Sequence, residues 1–187
     1  MPKAKSVNPE IELISLLKKG DERAYLRVLN LHKDQVAKTV KGMLGNVQEA
    51  EDVGQEVFIR FFKSIQNFKG EAKISTYLTR IAINLSLNEL ERRKRRWRIF
   101  YGGENVEDKM LAQEDVNLKE DRERRELVHL AILKLDVKYR KIVVLRALQG
   151  YSFKELATIL DMPIGTVLSR YSRAQKILKE ILNPIIK

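Results

Sequence analysis

The sequence predicts an all-α protein made of two small helical domains joined by a flexible acidic linker, the C-terminal one a helix-turn-helix. Glycine and proline are scarce, with 9 and 4 in 187 residues, so few points break a helix. Apolar residues recur at helical spacing in nearly every segment. With 44% hydrophobic residues, the chain can form one medium core or two small ones.

Three helix patterns fill the N-terminal third of the chain. Asn8 and Pro9 start the first, which ends at Gly20, and Asp21 caps a second that closes at Gly45 and Asn46. The third runs from about Gln48 to Ile65, with Val53, Val57, Phe61 and Ile65 inward and Asp52, Gln55, Glu56 and Arg60 outward. An acidic helix face is unusual in a basic protein.

A fourth helix is expected after the loop 66–74. It starts near Ser75 and carries Leu78, Ile81, Ala82, Leu85 and Leu90 on one side. It ends in a charge block, 89–98, that holds six basic residues and two acids. Such a block is most often a solvated face.

The overall charge favours a polyanionic partner. The 36 Lys and Arg outnumber the 25 Asp and Glu, giving +11, which is typical of proteins that bind nucleic acid or an anionic surface. No apolar run approaches the ~20 residues of a membrane-spanning helix, and the N-terminus lacks the apolar core of a signal peptide. We therefore expect a cytoplasmic protein.

The residue types that usually carry catalysis or bind metals are sparse. There is no cysteine, and His32 and His129 are isolated from each other and from further ligands at helical spacing. No nucleophile stands with a base, and no glycine-rich phosphate loop is present. We predict no active site, no metal and no cofactor, and hence no enzyme.

An acidic segment separates the predicted domains. From Glu104 to Glu123 there are eight acids and three bases, with no firm apolar period. We place the domains at 8–100 and 122–187 and the linker at 101–121. At ~3.3 Å per residue the linker reaches at most roughly 70 Å, about two turns of B-DNA.

The C-terminal domain ends in two helices around a tight turn, within Tyr151 to Leu178. Ser152 and Glu155 form a capping box for the first, Asp161 and Met162 break it, and Pro163 is expected at the first position of the second. The polar face of the second helix carries Ser169, Arg170, Ser172, Arg173 and Lys176, donors suited to phosphates and base edges. An ordinary helical hairpin with a solvated basic face is the alternative, but Gly165 and the small polar residues after it favour DNA binding.

Three segments together resemble the extracytoplasmic-function (ECF) group of bacterial RNA polymerase sigma factors. Ala50 to Phe62 resembles the helix that binds core polymerase, Phe68 to Leu85 the promoter-melting segment, and Gly165 to Leu178 the reader of the upstream promoter element. The resemblance extends over nearly all of the chain, and the three motifs in this order, with a linker of this length, are strongly specific to the family. Tyr77 stands where the family usually has tryptophan, Gly54 where it has a branched apolar residue, and Leu168 where lysine or arginine is frequent.

The resemblance implies a non-enzymatic initiation factor whose partners are core RNA polymerase, duplex −35 DNA, single-stranded −10 DNA and an anti-sigma factor. It assigns polymerase binding to Asp52, Gln55 and Glu56. It assigns −10 DNA to Phe68, Lys69, Gly70, Ser75, Thr76, Tyr77, Arg80, Asn84, Arg92 and Arg93. It assigns −35 DNA to Thr166, Leu168, Ser169, Arg170, Ser172, Arg173 and Lys176.

Two other functions fit parts of the sequence. One is a dimeric helix-turn-helix regulator that works without polymerase on a palindrome, although residues 8 to 98 offer an acidic helix and a base-capturing loop rather than a dimer interface. The other is an RNA-binding or nucleic-acid-processing enzyme, which the missing catalytic cluster disfavours.

Overall fold

The structure, a computed structural model, describes residues 9–101 and 120–184. Every regular element within these two ranges is helical, which confirms the predicted all-α class. No helix in this part of the chain is both long and apolar enough to cross a bilayer. Most of the predicted linker, and Asn8, lie outside the described residues.

Four helices form each half of the described chain. The N-terminal bundle contains α1 (Pro9–Lys18), α2 (Glu22–Leu44), α3 (Gln48–Ser64) and α4 (Ile74–Tyr101), with a 3-10 turn at Ile65–Asn67. The C-terminal bundle contains α5 (Glu120–Leu133), α6 (Val137–Val143), α7 (Phe153–Leu160) and α8 (Ile164–Leu182), with a π-helical turn at Val144–Leu148.

Capping side chains begin several of these helices, and those at Asp21 and Ser152 were predicted from the sequence. The Asp21 carboxylate accepts from the Ala24 amide at 2.8 Å and begins α2, and Asp136 accepts from the Lys138 amide to begin α6. Ser152 and Glu155 form both bonds of the predicted capping box at the start of α7. Each cap satisfies an amide that the helix itself leaves without a partner.

The position of Pro163 differs from the prediction. Its ψ of 139° is extended, so Pro163 is the residue before α8 and not the first residue within it. The ring fixes φ but not ψ, and the turn needs an extended residue after Asp161, which ends α7 in the left-handed region at φ 49°. The sequence could not distinguish these adjacent positions.

The N-terminal core lies between α2, α3 and α4. Its buried apolar side chains include Val28, Val40, Val57, Phe61, Leu78 and Ala82. Val53, predicted to be inward, is only partly buried against this core. The helical spacing therefore identifies most of the buried stripe.

The two bundles pack against each other through α2. Their buried apolar residues form one continuous cluster that includes Val40 and Met43 from one bundle and Ile142 and Leu145 from the other. Gly42 permits this approach, because a Cβ there would lie only 2.9 Å from Val144 Cγ1 and 3.1 Å from Leu148 Cδ1. The two predicted domains therefore share one continuous apolar core in this structure.

Candidate functional site

The three residues of the acidic face, Asp52, Gln55 and Glu56, lie on the outer side of α3. Asp52 and Gln55 are exposed and Glu56 is half-buried. The Glu56 carboxylate accepts from Arg60 Nε at 2.8 Å, one helical turn away. Because both partners are largely in water, this ion pair contributes little and can exchange for a bond to a binding partner.

An apolar residue that the sequence did not single out continues the acidic face. Ile59 is 45% exposed, and its spacing of seven residues from Asp52 and four from Gln55 puts it on the same side of α3. The sequence signal for this contact was an isoleucine that lies outside the buried stripe of α3. The face thus combines negative charge with an exposed apolar contact.

The α4 surface combines the exposed loop residues Lys69 and Gly70 with residues at the start of α4. Gly70 takes φ +75°, which favours glycine. Along the helix, Ser75, Thr76 and Tyr77 are half-buried and Asn84 is exposed. The Ile74 amide at the start of the helix donates to Glu10 Oε1 at 2.6 Å, so α1 holds this end in place.

Phe68, which the resemblance assigns to −10 DNA, lies in the core in this structure. Its ring is only 7% exposed and packs against the ring of Tyr77 with centroids 4.9 Å apart. Tyr77 is half-buried, and its hydroxyl donates to Ser64 Oγ at 3.1 Å. Phe68 therefore supports the loop from beneath, and Tyr77 is the aromatic residue of this pair with surface to offer.

Arg80 is bound by the C-terminal bundle. Its guanidinium donates to the Thr158 carbonyl oxygen on α7. The Arg80 Nε is buried and has no hydrogen-bond partner among the described residues. The guanidinium of this predicted −10 residue is thus bonded to the other half of the chain in this conformation.

Two arginines of the charge block differ in their surroundings. Arg92 is mostly exposed and its Nε lies 2.7 Å from Glu89 Oε2. Arg93 is only 13% exposed, pairs with Glu89 and Glu49, and donates to the Leu44 carbonyl at 3.1 Å. Arg93 thus joins α4 to the end of α2 and the start of α3, and little of its side chain is exposed for a contact with DNA.

Glu49 belongs to the same charge network. A hydrogen bond from its own backbone amide holds the pKa of Glu49 below its usual value, and attraction from Arg93 and Arg96 adds to the effect. The network keeps the Glu49 carboxylate ionised beside the basic end of α4.

The α8 surface presents the residues predicted to read duplex DNA. Leu168, Ser169, Ser172, Arg173 and Lys176 are exposed, and Thr166 and Arg170 are half-buried. The Ser169 hydroxyl donates to the Thr166 carbonyl at 3.1 Å, so it is free to accept or to exchange that bond. Val167 and Ala174, on the opposite side of α8, are fully buried.

Lys141 is a basic neighbour of this surface that the sequence did not indicate. Partial burial lowers the pKa of Lys141, and the nearby charge of Arg170 lowers it further. Two cations held close together are relieved by an anion such as a phosphate. The sequence does not indicate that Lys141 lies near Arg170, because α6 and α8 meet only in the folded protein.

The described residues contain no group of three or more acidic, histidine or cysteine side chains that could hold a metal ion. His32 lies beside Gln35, with Nδ1 and Oε1 3.3 Å apart. The chemistry of the described surfaces is that of charge, hydrogen bonding and stacking.

Two family models match the two parts of the described chain. Residues 28–96 match the family model of sigma-70 region 2, and residues 125–178 match that of sigma-70 region 4. The chain is 35% identical over 179 residues to the ECF RNA polymerase sigma factor SigW of Bacillus subtilis, a match that covers 92% of this chain and 96% of that protein. It is 30% identical over 185 residues to the RNA polymerase sigma-H factor of Pseudomonas aeruginosa, covering 94% and 95%.

A solved structure has the same fold. The sigma factor RpoE in complex with the anti-sigma factor NepR, from Bartonella quintana, superposes with a TM-score of 0.70 at 21% identity. The likeness covers 85% of this chain and 96% of that chain.

Proposed function

Because the chain belongs to the ECF group of sigma-70 factors, we propose that it binds core RNA polymerase, directs it to −10 and −35 promoter elements and assists DNA melting. The observation that carries this function is the ordered pair of region 2 and region 4 over most of the chain. The chain acts as an initiation factor, and the catalytic chemistry is that of the polymerase.

We assign core binding to Asp52, Gln55 and Glu56, and we add Ile59. Carboxylates suit a basic partner through charge-assisted hydrogen bonds, which steer association and fix orientation. An exposed isoleucine beside them supplies apolar area that only a partner would cover. This combination supports a protein surface as the ligand of α3.

We assign the −10 element to the α4 surface: Lys69, Gly70, Ser75, Thr76, Tyr77, Arg80 and Asn84, with Arg92 on the flanking phosphates. Extruding a base costs a few kcal/mol of stacking and pairing. Stacking on an aromatic ring returns about 1–3 kcal/mol per base, and Tyr77 can supply it. Phe68 holds this ring from behind, and Arg93 holds the helix, so both act indirectly.

We assign the −35 element to α8. Arg173, exposed on the reading face, is the first candidate for a bidentate contact to guanine. Leu168 is exposed and apolar, which suits a thymine methyl. Arg170 and Lys176, with Lys141 behind Arg170, suit the phosphates.

The partners and the place of action follow from this role. The factor acts in the cytoplasm, where polymerase and promoter DNA are found. A neighbour of the same fold is bound to an anti-sigma factor, and we propose that a protein of this kind also restrains this chain. The acidic segment 101–121 connects the two promoter-binding domains.

Run-off transcription with purified core polymerase tests the function. We expect discrete start sites on genomic fragments only when core enzyme and this chain are both present. The matching footprint should appear at two elements and require polymerase. A dimer that protects a palindrome without polymerase would instead establish the helix-turn-helix regulator, and nucleic-acid turnover by the chain alone would establish the enzyme.

A further inference from the structure

We propose that the end of α4 is a membrane-contact site, through which this chain binds peripherally to the surface of a bilayer rich in anionic phospholipids. The site consists of the basic side chains of the charge block 89–98 and of an apolar tip formed by Trp97, Ile99 and Phe100. The proposed function leaves the apolar tip unused, and the membrane contact does not depend on that function.

The apolar tip is the most exposed apolar feature of the described residues. Ile99 is 79% exposed and Phe100 is 76% exposed, more than any other large apolar side chain in this part of the chain. Trp97, three positions before Phe100, is half-buried. Two adjacent apolar side chains that are held in water gain free energy when another surface covers them. The end of α4 is therefore suited to an apolar contact.

Arginines stand beside the apolar tip. Ile99 lies four positions after Arg95, and Phe100 lies four positions after Arg96. Residues four positions apart are neighbours on a helix surface, so each of the two apolar side chains has an arginine next to it. Arg95 is exposed, and the side chain of Arg96 is 49% exposed. The site thus combines apolar area with cations at one end of one helix.

Part of the positive charge of the block has no counter-charge within the described chain. The block holds six basic residues against two acids, a net charge of +4. Arg92, Arg93 and Arg96 interact with Glu89. Arg95 and Arg98 are exposed, and no ion pair joins either of them to a described residue. Cations of this kind are attracted to the negative surface potential of anionic lipids.

The apolar tip favours a bilayer over a nucleic acid, although both carry anionic phosphates. Bases stack on flat rings, whereas the side chain of Ile99 has neither a flat ring nor a hydrogen-bonding group. A bilayer interface takes up aliphatic and aromatic side chains alike, with tryptophan at the level of the headgroups. Arginine can reach the lipid phosphates while its methylene groups remain against apolar surface. The end of α4 therefore fits a lipid surface.

The membrane contact has a consequence that does rest on the proposed function. Arg92, which we assign to phosphates beside the −10 element, belongs to the same charge block. An anionic membrane and promoter DNA are then alternative ligands of the end of α4. A chain that is bound to the membrane through this end is withheld from promoters.

Fluorescence of the natural chain tests the membrane contact. Trp97 is the only tryptophan in the sequence, so its emission reports on this site alone. The anionic probe is vesicles of phosphatidylglycerol and phosphatidylcholine in equal parts, and the neutral probe is vesicles of phosphatidylcholine. We expect anionic vesicles to shift the emission to shorter wavelength and acyl-chain-brominated lipids in them to quench it. Neutral vesicles should require at least about tenfold more lipid for the same shift.

Two double variants distinguish the apolar tip from other exposed apolar residues. Ile99→Ser with Phe100→Ser should lower the partition coefficient into anionic vesicles about tenfold or more, because two apolar side chains no longer enter the interface. The matched control is Leu26→Ser with Leu31→Ser, which changes two side chains of α2 that are 58% and 62% exposed. This control should partition like the natural chain. Circular dichroism should show natural helicity in both variants, since all four side chains are exposed.

Several outcomes would overturn the proposal. One is a natural chain whose Trp97 emission does not respond to anionic vesicles, and another is equal partitioning of the tip variant and the natural chain. Sedimentation with vesicles without quenching of Trp97 would place the contact on a different basic surface, such as that of α8. A tip variant that loses affinity for single-stranded or duplex DNA and keeps its vesicle binding would assign the tip to nucleic acid instead.

Discussion

Two glycines in the N-terminal bundle give a matched pair of substitutions that measures the contact between the bundles. Gly42 and Gly54 both lie inside helices, in α2 and α3. A Cβ at Gly42 would meet Val144 Cγ1 at 2.9 Å, whereas among the described residues nothing lies within 4 Å of the Cβ position of Gly54. The same change to alanine therefore tests helix propensity with and without the neighbouring bundle.

The two substitutions should differ in their effect on stability. Gly54→Ala should raise the free energy of unfolding by about 1 kcal/mol, because alanine favours a helix interior by that amount. Gly42→Ala gains the same term but must displace the Val144 and Leu148 side chains, and overpacking costs about 1–3 kcal/mol. Its net effect should be between roughly zero and a loss of ~2 kcal/mol.

Thermal unfolding followed by circular dichroism, with urea titration as a second measure, distinguishes these outcomes. For a chain of this size, 1 kcal/mol corresponds to about 2–4 °C in Tm. Gly54→Ala should raise Tm by that amount, and Gly42→Ala should leave it unchanged or lower it. Equal increases for both variants would refute the tight approach of Val144 to Gly42 and, with it, the packing of the two bundles.

Three further predictions concern the acidic face of α3, the reading face of α8 and the phenol of Tyr151. Reversing the charges of Asp52 and Glu56 with lysine should weaken core polymerase binding about tenfold at unchanged helicity, measured by pull-down with circular dichroism, and unchanged affinity would remove the assignment. Arg173→Ala should cost about 1–3 kcal/mol of discrimination between −35 and random DNA, whereas Lys176→Ala should weaken binding to the two DNAs equally. Binding titrations of each variant on −35 DNA and on random DNA measure this, and equal losses on the two DNAs for both variants would contradict the assignment of Arg173. Burial raises the pKa of Tyr151, so its stabilising contribution is present below about pH 10 and is lost as pH rises through the folded pKa. The urea midpoint of unfolding should therefore fall above about pH 10 in the natural chain and fall less in Tyr151→Phe. The same pH dependence in both proteins would contradict this role of Tyr151.

The local structure could be predicted where one side chain determines it. Asp21 and the Ser152 and Glu155 pair bond to amides within three residues, so their sequence context contains all the partners. The buried stripes could be predicted from spacing alone, because residues on one face of a helix lie three or four positions apart. The acidic face of α3 and the reading face of α8 are the complements of those stripes.

The remaining features depend on partners distant in the sequence. Phe68 has the residue type of a stacking platform, but whether its ring is covered depends on how the loop folds over Phe61 and Tyr77. Arg93 is one of several arginines in a run, and only the positions of Glu49 and Leu44 distinguish it. Likewise, Gln35 Nε2 donates to the Tyr151 hydroxyl at 2.6 Å, and no short sequence pattern pairs these two residues.

The carboxylate of Glu89 affects how the basic end of α4 responds to salt. Glu89 is only 6% exposed and interacts with Arg92, Arg93 and Arg96 together. These arginines already have an internal counter-charge. On meeting DNA they therefore neutralise less phosphate charge, and release fewer of the cations condensed on the DNA, than free arginines would. Association through this block should consequently depend less steeply on ionic strength than its number of basic residues implies.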